Sequence, residues 1–278
     1  MAITKSQTIN WSAKVRVEAQ DASIIGTVAD KSYQVDSVGA KSIKVIGVAD
    51  PTINVYVPGA GLTYEALTDN EIDLALDQMH DFAFEVNEVE MAQSKPDYVP
   101  AAVTKAGIAL GLKADSYFLG SNTYANASIP AGSKLGTLAV PIALTTSNIE
   151  EYLDALGVAL SENSVGAGYC VLPPKAMSLI RRAGISVVTD NSALWAGRTV
   201  SSYAGLTLIQ SNQVVVDGTA DGYQILAFSP RAVAFASTIQ KVETLMNPDD
   251  FGQLVRGLFV FGSEVIYPKE VAVLSATF

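Results

Sequence analysis

The sequence has few of the residues from which catalytic and metal sites are usually built. It contains a single cysteine, Cys170, and a single histidine, His80. One cysteine excludes a disulfide within the chain, and one cysteine with one histidine is too few ligands for a structural zinc site. Apolar residues flank both side chains. We therefore expect Cys170 to be a buried thiol and His80 to be a hydrogen-bonded structural residue.

Charged residues are also scarce, at 17% of the chain against 49% hydrophobic residues, and the net charge is −10. This hydrophobic content can build a sizeable core and lies outside the range of disordered proteins. An acidic chain with a pI near 4.6 does not offer a general nucleic-acid-binding surface. No segment approaches the ~18 apolar residues of a membrane span, and the first residues lack the apolar run of a signal peptide. We expect a soluble, cytosol-made protein with no membrane partner.

Catalytic and cofactor-binding motifs are missing as well. The glycines at 166 and 168 precede a predicted strand, whereas a dinucleotide-binding glycine motif follows one. The loop 217–222, D-G-T-A-D-G, lacks the oxygen-ligand spacing and the terminal glutamate of a calcium loop. No phosphate-binding loop and no nucleophile elbow occur in the sequence. We expect that the protein is not an enzyme and binds no cofactor or metal.

One unusually long alternating stretch, residues 72–86, organises the rest of the chain. Its even positions are mostly apolar and four of its odd positions are acidic, which predicts one apolar and one acidic face of a β-strand. At ~3.3 Å per residue this strand would span roughly 50 Å, the diameter expected for a compact domain of this length. The acidic positions lie too far apart for a catalytic pair and form a solvated or inter-subunit face; they are Asp73, Asp77, Asp81 and Glu85.

A β-branched segment, residues 41–48, is the predicted antiparallel partner of this strand. The loop between them, residues 50–70, is broken by prolines and glycines yet carries apolar side chains. Such a loop needs a surface to lie on. It is either a projecting arm that docks on another subunit or a meander folded back on its own core, and both remain open. The candidate interface residues are Ile53, Val55, Tyr56, Val57, Leu62, Tyr64 and Leu67.

Helices and a mixed subdomain are predicted beyond this hairpin. Helical spacing of apolar residues predicts a helix over 97–119, in which Gly107 and Gly111 indicate close approach of a strand or bending of the helix. The pattern Ser147-x-x-Glu150 predicts a capping box that opens a second helix. Strands alternating with helices over 121–236 indicate a mixed α/β subdomain, and long strands return over 237–278.

The order of these segments resembles one known family. The segment N-W-S-A-K-V, which contains Trp11, resembles the N-terminal arm of tailed-phage major capsid proteins with the Hong Kong 97-type fold. The sequences D-P-T-I-N-V-Y-V-P-G, F-A-F-E-V-N-E-V-E-M-A-Q-S and K-V-E-T-L-M-N-P-D-D-F-G-Q-L-V-R-G-L-F-V-F-G continue the resemblance in the same order. It spans almost the whole chain, and the order and spacing of the pieces are more specific than any one of them.

The resemblance implies an α+β fold, the Hong Kong 97-type capsid fold. It would comprise an N-terminal arm (1–32), an extended β-hairpin loop (33–71), a peripheral domain (72–120 and 237–278) with a spine helix (97–119), and an axial domain (121–236). The implied function is that of a structural major capsid protein that self-assembles into an icosahedral head shell enclosing double-stranded DNA. Trp11 in the arm and the apolar loop would then lie at subunit interfaces, with Asp73 and Asp77 beside them.

The resemblance also implies partners and a location. The chain would form hexamers and pentamers in a virion capsid assembled in the host cytoplasm, with a portal protein and, in some relatives, a decorating (cement) protein. DNA would be enclosed without sequence recognition. The arm motif begins within ten residues of Met1, which implies a separate scaffolding protein instead of a cleaved scaffolding region. Residues 50–70 contain no lysine, so we expect no isopeptide links from this loop.

Three other classes of protein compete with this interpretation. An encapsulin-like compartment shares the fold and the size but packages enzymes, and the nature of the cargo would separate the two. A soluble enzyme would elute as a monomer. A phage tail-tube or adhesin protein would build filaments and would not need the two long helices.

Overall fold

The computed structural model describes residues 23–37, 40–48, 51–55, 61, 64–66, 69–87, 98–120, 123–124, 128–137, 139–163, 166–183, 199–214, 216–217, 222–247 and 252–278. These ranges contain four α-helices and thirteen strands in three sheets. The helices are α1 (Ile25–Val28), α2 (Tyr98–Phe118), α3 (Ile149–Glu162) and α4 (Pro174–Arg182). Within these ranges, no helix is both long enough and apolar enough to cross a membrane.

The strands follow in chain order, and short 3-10 turns cover Ser32–Ser37, Ala131–Ser133 and Pro268–Glu270. They are β1 (Ser42–Val48), β2 (Asp69–Ala75), β3 (Gln78–Asn87), β4 (Lys134–Leu135), β5 (Ile142–Ala143), β6 (Gly168–Leu172), β7 (Thr199–Tyr203), β8 (Leu206–Gln210), β9 (Val216–Asp217), β10 (Gly222–Phe228), β11 (Val233–Met246), β12 (Gly252–Val265) and β13 (Val271–Thr277).

The predicted hairpin is confirmed. Strands β1 and β2 pair antiparallel over their whole length, from Ser42 opposite Ala75 to Val48 opposite Asp69. They form a two-stranded sheet of their own. Because an isolated two-stranded sheet is marginal in water, the hairpin depends on contacts with other parts of the structure.

The prediction of one continuous strand over 72–86 is wrong. Strand β2 ends at Ala75 and pairs with β1, whereas β3 begins at Gln78 and pairs with β12 in another sheet. Two residues, Leu76 and Asp77, separate the strands. An interruption of two residues preserves the alternation of faces, so the sequence pattern continues through the break. The predicted faces are confirmed: Leu74 and Leu76 are buried, and the acidic positions of both strands are exposed.

The second sheet is long and narrow, with the order β11-β12-β3. Strands β11 and β12 have 14 residues each, so they extend about 46 Å at ~3.3 Å per residue. Strand β11 crosses the predicted boundary at residues 236 and 237, with a bulge between Ser237 and Ile239. At Gly262 a Cβ atom would lie 1.9 Å from the carbonyl oxygen of Ala75. Glycine therefore allows the end of β2 to cross directly over β12.

The third sheet has the order β4-β13-β10-β6-β8-β7, with β5 beside β13 and β9 beside β10. It mixes parallel pairs, such as β6 with β8, and antiparallel pairs, such as β10 with β13. Helices α3 and α4 pack on one face, and the opposite face packs toward α1 and α2. Helices and strands thus alternate in this part of the chain, as the sequence indicated for residues 121–236. Strand β13 also lies in this sheet, although it follows the long strands β11 and β12 in sequence.

Helix α3 confirms the predicted second helix and buries an apolar face, which consists of Ile149, Leu153, Leu156 and Leu160. The predicted capping box is wrong, because Asn148 occupies the N-cap position and makes no side-chain bond to the helix. Its Oδ1 accepts from the Thr145 amide at 2.7 Å, and its Nδ2 donates to the Ala143 carbonyl at 3.0 Å. Asn148 therefore stabilises the preceding turn instead of closing a box with Glu150.

Helix α2 confirms the predicted long helix almost to the residue. Its C-terminal half is buried at Ala114 and Phe118, and Phe118 packs edge-to-face on Phe228 of the third sheet. No described strand approaches its two glycines closely. A Cβ at Gly107 would meet nothing within 4 Å, and one at Gly111 would meet only Ser23, at 3.6 Å. The close approach of a strand predicted at these glycines is therefore wrong for the described residues.

Candidate subunit interface

The β1–β2 hairpin is anchored at one end only. Near its base, Ile43 and Leu74 are buried against Ala234 and Ile266, which belong to the long sheet and the turn that follows it. Toward the loop, Ile46 is already 69% exposed. The exposed outer part of the hairpin begins within three residues of its buried base.

The two limbs of the loop stay together beyond the strands. The amide of Thr52 donates to Glu65 Oε2 at 2.9 Å, and this bond lowers the pKa of Glu65. On the same limbs, Ile53 is 89% exposed, Val55 is 91% exposed and Tyr64 is 88% exposed. Three large apolar side chains are thus held in a connected loop, and no described part of the same chain covers them.

The remaining predicted interface residues have mixed outcomes. Trp11, Tyr56, Val57, Leu62 and Leu67 lie outside the described residues. Asp73 and Asp77 are described, and both are exposed near the junction of β2 and β3. The structure brings Ile53, Val55 and Tyr64 together on the loop and leaves the two carboxylates at the opposite end of the hairpin.

An acidic surface surrounds these two carboxylates. Burial raises the pKa of Glu264 on β12, and the nearby charge of Asp73 raises it further. Burial likewise raises the pKa of the Tyr117 hydroxyl, with contributions from Asp77 and Glu264. Lys44 lies opposite Asp73 in the hairpin and forms an ion pair with Glu71, so a cation of the same chain offsets part of this negative charge.

A second apolar surface lies at the far end of the long sheet. Met246 at the end of β11 is 85% exposed, and Val242, Leu245 and Leu258 are also exposed. The described ends of β11 and β12 meet where the Asn247 amide donates to the Gly252 carbonyl at 2.9 Å. The sequence predicted strands here but no interface, because alternation does not distinguish a surface covered by a neighbour from a core.

Asp115 is a structural anchor that the sequence analysis missed. It is buried in α2, accepts from Ser23 Oγ at 2.7 Å, and accepts from the backbone amides of Ile24 and Ile25 at 3.0 and 3.3 Å. These amides belong to the start of α1, whose orphan donors need acceptors. A lone carboxylate between the apolar residues Ala114 and Phe118 is the signal that could have revealed it.

A second polar anchor joins the third sheet to the long sheet. Glu270 is buried and accepts from Ser229 Oγ and from Arg231, whose Nη2 lies 2.5 Å from Oε1. Burial alone would raise the pKa of Glu270, but the bonds from Arg231 and Ser229 outweigh it and lower the pKa below its ordinary value. Glu270 therefore remains charged and holds the connection between β10 and β11 beside the start of β13.

His80 and Cys170, the two residue types most often found in catalytic and metal sites, pack against other side chains of the subunit. His80 stacks on Phe261 with ring centroids 5.5 Å apart. Cys170 is fully buried in β6, and burial raises the pKa of its thiol to about 12. Within the described ranges, no group of three or more His, Cys, Asp or Glu side chains could hold a metal ion.

Comparisons with known proteins identify the fold. No protein-family model matches the chain, and no curated protein matches it in sequence. A structure of Mycobacterium phage Che8 matches with a TM-score of 0.81 and 22% identity, covering 98% of both chains. The capsid structure of the cyanophage P-SCSP1u matches with a TM-score of 0.74 and 18% identity, covering 97% of this chain and 93% of that one. The capsid of Ralstonia phage GP4 matches with a TM-score of 0.69 and 13% identity, covering 98% of this chain and 95% of that one.

These matches extend over nearly the whole length of each chain. The protein therefore has the Hong Kong 97-type fold of tailed-phage capsid proteins, as the sequence resemblance predicted. At 13–22% identity, these matches show the fold and not the role of the chain.

Proposed function

We propose that this protein is a major capsid protein that self-assembles into an icosahedral shell around double-stranded DNA. Two observations support the proposal: nearly the whole chain matches the fold of phage capsid structures, and its hairpin ends in an apolar loop that no described residue covers. Large exposed apolar patches on a protein mark interaction sites. A neighbouring copy of the chain supplies the missing cover.

The hairpin loop is the proposed contact between subunits. Ile53, Val55 and Tyr64 dock on the neighbour, and the other predicted loop residues, Tyr56, Val57, Leu62 and Leu67, extend the same apolar surface. The acidic junction at Asp73 and Asp77 and the arm residue Trp11 form further contacts. The base of the hairpin holds the loop in position, since Leu74 is buried within its own subunit.

The proposed domains follow the Hong Kong 97-type arrangement. Residues 1–32 form the N-terminal arm and 33–71 the extended loop; α2 is the spine helix of the peripheral domain, together with the long sheet. The third sheet, with α3 and α4, forms the axial domain. Because β13 pairs with β10, we assign residues 271–277 to the axial sheet and 237–265 to the peripheral domain.

The proposed partners are those of a phage head. Copies of the chain form hexamers and pentamers in a virion shell assembled in the host cytoplasm. A separate scaffolding protein directs assembly, a portal protein occupies one vertex, and a decorating protein reinforces the surface. With a net charge of −10, the chain encloses DNA without binding its sequence, because its overall field repels the phosphate backbone.

Expression of the full chain, alone and with its candidate scaffolding protein, tests the proposal. We expect sedimentation and negative-stain imaging to show capsomers or closed shells. A single ~29 kDa species under all conditions would reject shell assembly, and filaments would favour a tail-tube protein. Particles recovered with an enzyme and without DNA would favour a compartment of the encapsulin type.

A further inference from the structure

Two helices on the same face of the third sheet carry charges of opposite sign. Helix α3 contains four carboxylates and no cation, whereas helix α4 contains three cations and no carboxylate. Within the described ranges, none of these side chains takes part in an ion pair. All of them are exposed: Glu150, Glu151, Asp154 and Glu162 on α3, and Lys175, Arg181 and Arg182 on α4.

The helix dipole explains only part of this segregation. Carboxylates are favoured in the first turn of a helix and cations in the last turn, where the first two glutamates of α3 and the two arginines of α4 lie. Glu162 and Lys175 are placed the other way round. Glu162 is the last residue of α3 and Lys175 is the second residue of α4, so each side chain lies at a helix end of its own sign. Neither position is favourable within its own helix.

Glu162 and Lys175 lie near opposite ends of strand β6. The end of α3 lies beside the start of β6, because Leu160 would be 3.3 Å from a Cβ built on Gly168. Helix α4 begins after the end of β6, and Nζ of Lys175 lies over the ring of Tyr223, 5.1 Å from its centroid. Strand β6 has five residues, and its ends are about 13 Å apart at ~3.3 Å per residue. The two charges therefore do not pair within one subunit.

The exposed faces of the two helices match in length. Asp154 and Glu162 are separated by about 12 Å along α3, at ~1.5 Å per residue, and Val158 between them is 48% exposed. Lys175 and Arg182 are separated by about 10 Å along α4 at the same rise. An apolar centre with charged groups around it is typical of a surface at which two proteins meet.

We propose that α3 of one subunit packs antiparallel on α4 of the next subunit in a ring, with Glu162 facing Lys175 and Asp154 facing Arg182. In this orientation the negative C-terminus of α3 meets Lys175, and the positive N-terminus of α4 meets Glu162. The neighbour's helix thus stabilises both charges that are unfavourable in their own helix. Because the contact joins two different surfaces, its repetition about a symmetry axis builds a ring. The inference rests on the proposed shell function and names the faces that join copies within a hexamer or pentamer.

Reversal of the charges tests this contact. The acid-reversed variant carries Asp154→Lys and Glu162→Lys, and the base-reversed variant carries Lys175→Glu and Arg182→Glu. Each variant alone places like charges at every contact of the ring, so the concentration needed for assembly should rise at least tenfold. Because all four sites are exposed, the urea midpoints of the unassembled subunits should stay close to that of the wild type. Ser178→Ala, at an exposed position of α4, is the control and should assemble like the wild type.

Two combinations of these changes should restore assembly. A variant with all four changes has complementary faces again and should assemble alone near the wild-type concentration. An equal mixture of the acid-reversed and base-reversed variants should assemble only where the two kinds of subunit alternate. Alternation is possible around a ring of six and not around a ring of five, so imaging of the mixture should show hexamers without pentamers. A mixture that stops at dimers would overturn the ring.

The outcomes separate this inference from the proposed function. Assembly of both reversed variants at the wild-type concentration would overturn the inference, as would a four-change variant that assembles no better than they do. Shells formed by the wild type would still support the proposed function in either case. A wild type that stays monomeric under all conditions would reject both.

A chemical cross-link tests the contact without any variant. Carbodiimide joins a carboxylate to an amine that lies against it. In wild-type particles assembled from mixed isotope-labelled chains, mass spectrometry should find Lys175 joined to Glu162 of another copy. Links from Lys175 only within one chain, or only to carboxylates outside α3, would contradict the antiparallel contact.

Discussion

The hairpin loop should be nearly neutral for the subunit and indispensable for the shell. We consider the triple substitution Ile53→Ser, Val55→Ser and Tyr64→Ser. All three side chains are at least 88% exposed in the subunit, and substitutions at such surface sites usually change the free energy of unfolding by less than ~0.5 kcal/mol. The urea midpoint of the unassembled subunit should therefore stay close to that of the wild type.

The effect on assembly should be much larger. Full burial of one large apolar side chain contributes about 1.5–3 kcal/mol, so three of them contribute at least ~4 kcal/mol per contact. Since ~1.4 kcal/mol corresponds to a tenfold change in an equilibrium constant, each contact should weaken by roughly 10³. Light scattering across a concentration series should show that the triple variant does not assemble where the wild type does.

A control in the same loop removes little apolar surface. Ala66→Ser, also at an exposed position, should assemble like the wild type. Two results would refute the reasoning. A triple variant whose urea midpoint falls clearly below that of Ala66→Ser would show that the loop belongs to the subunit's own core. Assembly of the triple variant at the wild-type concentration would show that the loop is not a contact.

Further predictions concern the anchors and the chain crossing. Asp115→Ala leaves two buried backbone amides unpaired and should lower the free energy of unfolding by at least ~2 kcal/mol, measured by urea denaturation. Glu270 has a lowered pKa in the folded state. Its contribution to the free energy of unfolding is therefore present above pH ~4.5 and is lost as the pH falls further. The Glu270→Gln variant should not show this acid-induced loss of stability. Gly262→Ala places a Cβ 1.9 Å from the carbonyl oxygen of Ala75 and should lower the free energy of unfolding by ~1–3 kcal/mol or more. Boiled, reduced particles should run as one monomer band, because loop 50–70 has no lysine.

Each of these predictions has a result that contradicts it. Asp154→Ala, at an exposed position of α3, is the control for Asp115→Ala, and equal effects would reject the anchor. Gly166→Ala, whose Cβ meets nothing within 4 Å, is the control for Gly262→Ala. The Glu270 prediction fails if the wild type and Glu270→Gln lose stability equally between about pH 5 and pH 3. A ladder of multimers on the gel would point to a lysine at the base of the hairpin, Lys41 or Lys44.

The alternation of apolar residues in strands and their helical spacing in helices predicted most of the secondary structure, because these patterns depend on which face of each element is buried. They could not place the break at Leu76 and Asp77, since two residues leave the alternation in phase. The capping box over Ser147 and Glu150 was wrong because Asn148 competes for the same turn. Such local competition depends on backbone geometry that spacing does not contain.

The candidate interface was predicted in part, from the composition of the loop and not from a periodic pattern. The exposed loop residues Ile53, Val55 and Tyr64 were identified because an apolar loop is unusual in any chain. Asp115 was missed because the amides that donate to it lie about ninety residues away in sequence. A carboxylate that bonds a distant backbone leaves no periodic signal.

Mechanically, the hairpin is a lever clamped at one end. Seven paired residues carry its strands outward, so a force at the loop acts through about 23 Å, at ~3.3 Å per residue. The clamp is Leu74, fully buried beside Ala234 and Ala236, with the crossing at Gly262 next to it. The stiffness of the proposed contact therefore depends on packing inside the subunit, at the opposite end of the hairpin from the loop. Removing methyl groups there, as in Leu74→Ala, would soften a shell while every inter-subunit side chain stayed in place.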